Sequence, residues 1–60
     1  MKKTDYIATF PQEVQERILE DAENFHFSNG GIALTEVEKE EILSCKLCDL
    51  EEIIDIEKYI

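Results

Sequence analysis

The stretch Phe10-Pro11-Gln12-Glu13-Val14-Gln15-Glu16-Arg17-Ile18-Leu19-Glu20-Asp21-Ala22-Glu23-Asn24-Phe25 decides the fold class, because its apolar and acidic residues recur with a helical period. Proline suits the opening turn of a helix, where its missing N–H would have had no intrahelical partner. Thr9 with Gln12 three residues on can form a capping box, and Phe10 as the cap would instead set Pro11 at the first helical position. Val14, Ile18, Ala22 and Phe25, with Leu19 beside them, then make one apolar stripe that has to be buried. Glu13, Glu16, Glu20 and Glu23 make a second stripe on another face, and Arg17 can pair with Glu13 and Asp21 at four-residue spacing. A single helix thus separates a core face from an acidic ridge.

Upstream, Tyr6, Ile7 and Phe10 can form one turn of helix packed back on that core. Downstream, Ser28-Asn29-Gly30-Gly31 combines residues that tolerate positive φ, so the helix should stop after Phe25 and the chain should turn. Ile32-Ala33-Leu34 reads as an apolar connector tucked under the bundle. Thr35 with Glu38 is a clear capping box, and Val37, Ile42 and Leu43 give the helix that follows a partial apolar face. Asp49 with Glu52 repeats the signature ahead of Leu50, Ile53, Ile54, Ile56, Tyr59 and Ile60. The expected architecture is all-α, a small three-helix bundle forming one acidic domain over residues 1–60. The competing expectation is the first helix packed on one long helix from Glu36 to Ile60, since Leu43, Leu47, Leu50 and Ile54 keep a four-three-four spacing across the proposed break. Such a helix would favour a homodimer. β-branched residues are too few and too poorly alternated for a sheet protein.

Charge carries the functional signal. Fifteen acids stand against six bases in 60 residues, a net charge of −9. With Lys2 and Lys3 set aside, four bases oppose the fifteen acids and the net charge is −11. Charge of that density on so short a chain opposes compaction, which points to a solvation role or an electropositive partner. A chain of 60 residues buries only about 60 % of its unfolded surface, enough for one small core that often leans on a partner or a second subunit. The apolar fraction of 43 % is ordinary for globular domains, and its periodicity argues against a disordered acidic tail. Lys2 and Lys3 lead into Thr4-Asp5-Tyr6 instead of an apolar run, so no secretory signal is read, and no stretch approaches the length of a membrane span. The initial Met and the lack of tag-like sequence read as a complete small reading frame, with two reduced cysteines in a cytoplasmic protein.

Catalysis finds little support in the residues. Cys45-Lys46-Leu47-Cys48 has a spacing used by zinc knuckles and thioredoxin-like sites, but His26 is the one other soft ligand and the chain is too short for a βαβ context. Two small side chains filling the core beside Ile42 are the simpler reading, so no metal and no cofactor are expected. His26, between Phe25 and Phe27, suits the carbonyl end of the first helix. No nucleophile has a base and an orienting partner, no phosphate loop surrounds Gly30-Gly31, and no EF-hand spacing appears. The acids Glu13, Glu16, Glu20, Glu23, Glu51, Glu52 and Asp55 are left as the expected partner-binding residues, with further acids Glu36, Glu38, Glu40, Glu41 and Glu57 around them.

Acids three and four residues apart on a helix lie about 5–6 Å from one another, a spacing on the scale of successive phosphates in a nucleic acid strand. In composition the chain looks like the small acidic inhibitors that phages and plasmids, as mobile elements, direct against restriction or CRISPR nucleases, and which act as DNA mimics. That resemblance implies a non-enzymatic protein–protein interaction with the basic surface of a nuclease or regulator, and direct nucleic-acid binding is disfavoured by phosphate repulsion. The alternative expectation is a helical adaptor or small dimer that binds through Leu43, Leu47, Leu50, Ile54 and Tyr59, with the charge serving solubility.

Overall fold

Two α-helices and three short 3-10 turns make up the computed structural model, which describes residues 2–60. Helix α1 runs Gln12–Ser28, and helix α2 runs Glu36–Leu43. The 3-10 turns are Ile7–Thr9, Leu47–Leu50 and Ile56–Tyr59. No strand occurs among the described residues; a single antiparallel bridge joins Tyr6 and Lys46. The all-α class holds, while the third helix of the expected bundle is replaced by two 3-10 turns. Among the described residues no helix is long and apolar enough to cross a membrane.

The single long helix from Glu36 to Ile60 does not form, for a reason visible in the hydrogen bonds. A helix continuing past Leu43 would direct the N–H groups of residues 46–48 to carbonyls four residues back. Here the Lys46 N–H donates to the Asp49 carboxylate at 3.0 Å. The N–H groups of Leu47 and Cys48 donate to the carbonyls of Asp5 at 3.1 Å and Lys3 at 2.8 Å. The Ile7 N–H answers by donating to the Cys45 carbonyl at 2.9 Å, so the amino-terminal segment and residues 45–48 are laced in near two-fold fashion. Lys46 Nζ also sits 5.5 Å from the centre of the Tyr6 ring. Asp49 is therefore not the cap of a last helix over Glu52, as the sequence suggests; it lies inside the 3-10 turn Leu47–Leu50 and accepts the N–H of Lys46, the residue that precedes that turn.

The core follows from the period of those turns. A 3-10 helix has three residues per turn, so residues three apart share one face. Ile7 with Phe10, Leu47 with Leu50, and Ile56 with Tyr59 are the pairs this rule selects, and all six are buried around the fully buried Ile18 of α1. Val14, Ile42, Leu43, Ile53 and Ile54 pack against that cluster half-buried, and Ala22 and Leu34 are also buried. Helix α1 thus keeps its apolar stripe, and the 3-10 turns join α2 in covering it. The connector is corrected in part: Leu34 is buried, whereas Ile32 is 76 % exposed and Val37, assigned to the core face of α2, is 64 % exposed.

The boundaries of α1 also differ from expectation. Pro11 is the extended residue before the helix, and Gln12 is the first helical one. The Thr9 hydroxyl donates to the Tyr6 carbonyl at 2.6 Å instead of capping α1. The side chain of Gln15 ties the first 3-10 turn to α1 by donating to the carbonyls of Ala8 at 3.1 Å and Phe10 at 2.8 Å. At the other end the helix continues past Phe25 to Ser28 and closes in a Schellman motif. Gly31 N–H donates to the His26 carbonyl at 2.7 Å and Gly30 N–H to Phe27 at 3.1 Å. Gly30 takes φ +80, and a Cβ on Gly31 would stand 2.6 Å from His26 Nδ1.

The capping box of α2 is as expected. Glu38 N–H donates to Thr35 Oγ1 at 3.2 Å, and Thr35 N–H donates to Glu38 Oε1 at 3.1 Å.

Candidate functional site: the acidic crest and its flanking grooves

Helix α1 presents three sides. Its core side carries Val14, Ile18, Ala22 and Phe25. On one flank lie residues 53–60, where Lys58 Nζ approaches Asp21 Oδ2 at 3.4 Å and the Tyr59 hydroxyl donates to the same carboxylate oxygen. Desolvation, and then the hydrogen bond to the Asp21 carboxylate, push the Tyr59 phenol well above its ordinary range. On the other flank lies α2, with His26 Nε2 at 3.9 Å from Glu38 Oε2. Backbone and side-chain hydrogen bonds from Thr35 hold the Glu38 carboxyl below its usual value.

Glu13, Glu16 and Glu20 stand exposed on the outward side of α1. Glu13 meets Arg17 at 3.9 Å, both side chains being largely exposed, which makes a weak pair. Arg17 makes no ion pair with Asp21, the second partner its spacing suggests; Lys58 takes that place. Glu20 lines grooves on both flanks, one of about 620 Å3 with Arg17, Asp21, Lys58 and Tyr59 and one of about 230 Å3 with Leu19 and Lys39. Glu20 is therefore the summit of the crest.

The seven acids expected to bind a partner divide by what they already do. Glu23 is half-buried, and its carboxylate accepts the Leu34 N–H at 3.1 Å, which fixes the connector. Asp55 is exposed but accepts the Glu57 N–H at 3.3 Å and so caps the last 3-10 turn. Glu51 and Glu52 are exposed in the turn after Leu50, away from α1 in sequence. Glu16, Glu20, Glu40, Glu41, Glu51 and Glu52 are exposed carboxylates that make neither an ion pair nor a side-chain hydrogen bond among the described residues. Glu40 and Glu41 are the members of this set that lie outside the binding group expected from the sequence. Their signal was present, since a capping box at Thr35 places both beyond the first turn, where carboxylates have no backbone N–H to receive.

The junction of α1 and α2 holds a different groove of about 260 Å3. Buried Ala22 and Leu34 and half-buried Ile42 and Ile53 form its apolar surface. The facing pair His26 and Glu38, with Glu41 and the half-buried Cys45, complete its lining, and Cys45 Sγ donates to the Glu41 carbonyl at 3.2 Å. Cys45 and Cys48 are free thiols, half-buried and outside the core cluster, so they do not fill the core as expected. Among the described residues no three His, Cys, Asp or Glu side chains converge on a metal position. No protein-family model matches the chain, and neither a curated protein nor a solved structure matches it.

Proposed function

We propose that this chain is a non-enzymatic, cytoplasmic protein-binding module whose acidic crest occupies the basic surface of a partner, in the manner of a nucleic-acid-mimic inhibitor. The observation that carries the reading is the set of exposed carboxylates without an internal counter-charge, led by Glu16 and Glu20 on α1. An acid engaged by its own fold offers little to a partner, whereas a free one held on a helix offers a fixed charge at low ordering cost. The crest replaces the wider ridge: the free Glu16 and Glu20 bind, joined by Glu13, whose exposed pair with Arg17 is weak enough to exchange for a partner's cation. Glu51 and Glu52 form a second patch, while Glu23 and Asp55 support the fold. The most concrete partner is a nuclease or regulator with a nucleic-acid groove, where displacing bound counterions would favour association as it does for DNA.

The adaptor reading fares less well on accessibility. Of the apolar residues assigned to its interface, Leu47, Leu50 and Tyr59 lie in the core, which leaves Leu43 and Ile54, both half-buried.

Capture from a host lysate on immobilised protein tests the proposal. The expected partner is retained at low salt, displaced by duplex DNA or RNA, and lost when Glu13, Glu16 and Glu20 are all changed to Gln. A partner that ignores nucleic acid and the triple variant would overturn it.

A further inference from the structure

The groove between α1 and α2 differs from the others in its walls. Three other grooves each carry a lysine: Lys58 with Arg17 beside Tyr59, Lys39 beside Leu19, and Lys58 again beside Ile54. The α1–α2 groove is lined by neither Lys nor Arg, and its floor is apolar. His26 on its wall already faces Glu38 at 3.9 Å, which leaves Glu41 as the free carboxylate at its edge. Its volume of about 260 Å3 falls below the roughly 300–1,000 Å3 of small-molecule pockets and suits one large side chain. An apolar seat with an uncompensated acid at its rim complements one kind of chemistry, an apolar side chain with Lys or Arg beside it. Anchors of that type, seated in preformed pockets, supply most of the energy of many protein interfaces.

We infer that this groove is the anchoring seat of the complex: it receives an apolar side chain projecting from the partner's basic surface, with a neighbouring cation on Glu41. The inference rests on the reading above in taking the partner's surface to be basic. It adds a short-range anchor to an electrostatic attraction that, alone, would favour any cation. A charged crest sets the rate of encounter, and a filled apolar seat slows departure.

Cys45 reports on occupancy because its thiol lies at the groove edge. The test uses the full chain carrying Cys48→Ser, so that one thiol reacts with iodoacetamide, and two probes: an amphipathic helical peptide of leucine and lysine, and oligolysine of equal charge. Binding of each is followed separately by amide chemical shifts. At peptide concentrations about ten times its Kd, Cys45 alkylation should slow about tenfold, as mass action requires when the bound form is protected. Oligolysine should leave the rate unchanged, and Glu41→Gln should weaken the leucine–lysine peptide about two- to fivefold, the scale of one exposed ion pair. If the peptide binds while Cys45 reacts at its free rate, or if oligolysine protects equally, the seat is wrong and the acidic crest still stands. If neither probe shifts any amide, the seat and the crest both fail.

Discussion

Tyr59 and Asp21 show most clearly what single residues do for so small a core. The phenol is buried on the far side of α1 from α2 and donates to a carboxylate that also meets Lys58. Tyr59→Phe should lower stability by about 1.5–3 kcal/mol in urea unfolding, the range for a hydrogen bond to a charged group. Because the folded phenol is shifted upward, its contribution is fully present below the ordinary tyrosine value of about 10 and declines as pH rises beyond it. Tyrosinate absorbance in a Tyr6→Phe background should show late ionisation of Tyr59, moved down by Asp21→Asn; a titration unaffected by Asp21 would contradict this. The two glycines also separate at this scale. Gly30→Ala places a side chain at φ +80 and should cost about 1–2 kcal/mol. Gly31→Ala forces a Cβ against the ring and carbonyl of His26 and should cost more, read by the same unfolding curves. The sequence marks this tetrapeptide as a stop, yet which glycine turns and which makes room depends on His26, which only the packed helix end brings there.

At the scale of elements, α2 depends on its cap. With eight residues it is too short to persist by propensity alone. Thr35→Ala should lower stability by about 1 kcal/mol and reduce helical circular dichroism. Glu38 has a lowered folded pKa, so its contribution is present above the unfolded value and is lost as pH falls through the folded one. A stability–pH profile of Glu38→Gln should therefore be flatter in the acid range than that of the parent. Helix α1, the box at Thr35 and the turn at Ser28–Gly31 were all legible in the sequence because their signals are local. The last third was not. Leu47-x-x-Leu50 and Ile56-x-x-Tyr59 fit an α-helix and a 3-10 turn equally, since both place residues three apart on one side. For Leu47–Leu50 what decides is the backbone of Lys3 and Asp5, some forty residues away, which takes the N–H groups a longer helix would need. The first turn carries the same Ile7-x-x-Phe10 spacing, which α1 also contains at Ala22-x-x-Phe25, so the spacing alone does not separate the two.

The whole molecule combines a small core with a large uncompensated charge. Net charge −9 opposes compaction, so unfolding midpoints should rise with added salt as repulsion is screened, the Debye length falling from about 10 Å at 0.1 M to about 3 Å at 1 M. A midpoint that falls over that range would mean that internal ion pairs outweigh the repulsion. The acidic surface was plain in the composition, but its division into working and structural acids was not, because Glu23 and Asp55 are engaged by backbone N–H groups that no spacing rule names. The central claim is that the exposed acids of α1 bind a basic partner surface. Its most direct test is the affinity of the captured partner for the parent and for the Glu13→Gln, Glu16→Gln, Glu20→Gln variant, measured across salt concentration. Affinity for the parent should fall steeply with salt, and the variant should bind weakly with a shallower slope. Equal affinity and equal slope for the two proteins would contradict the account.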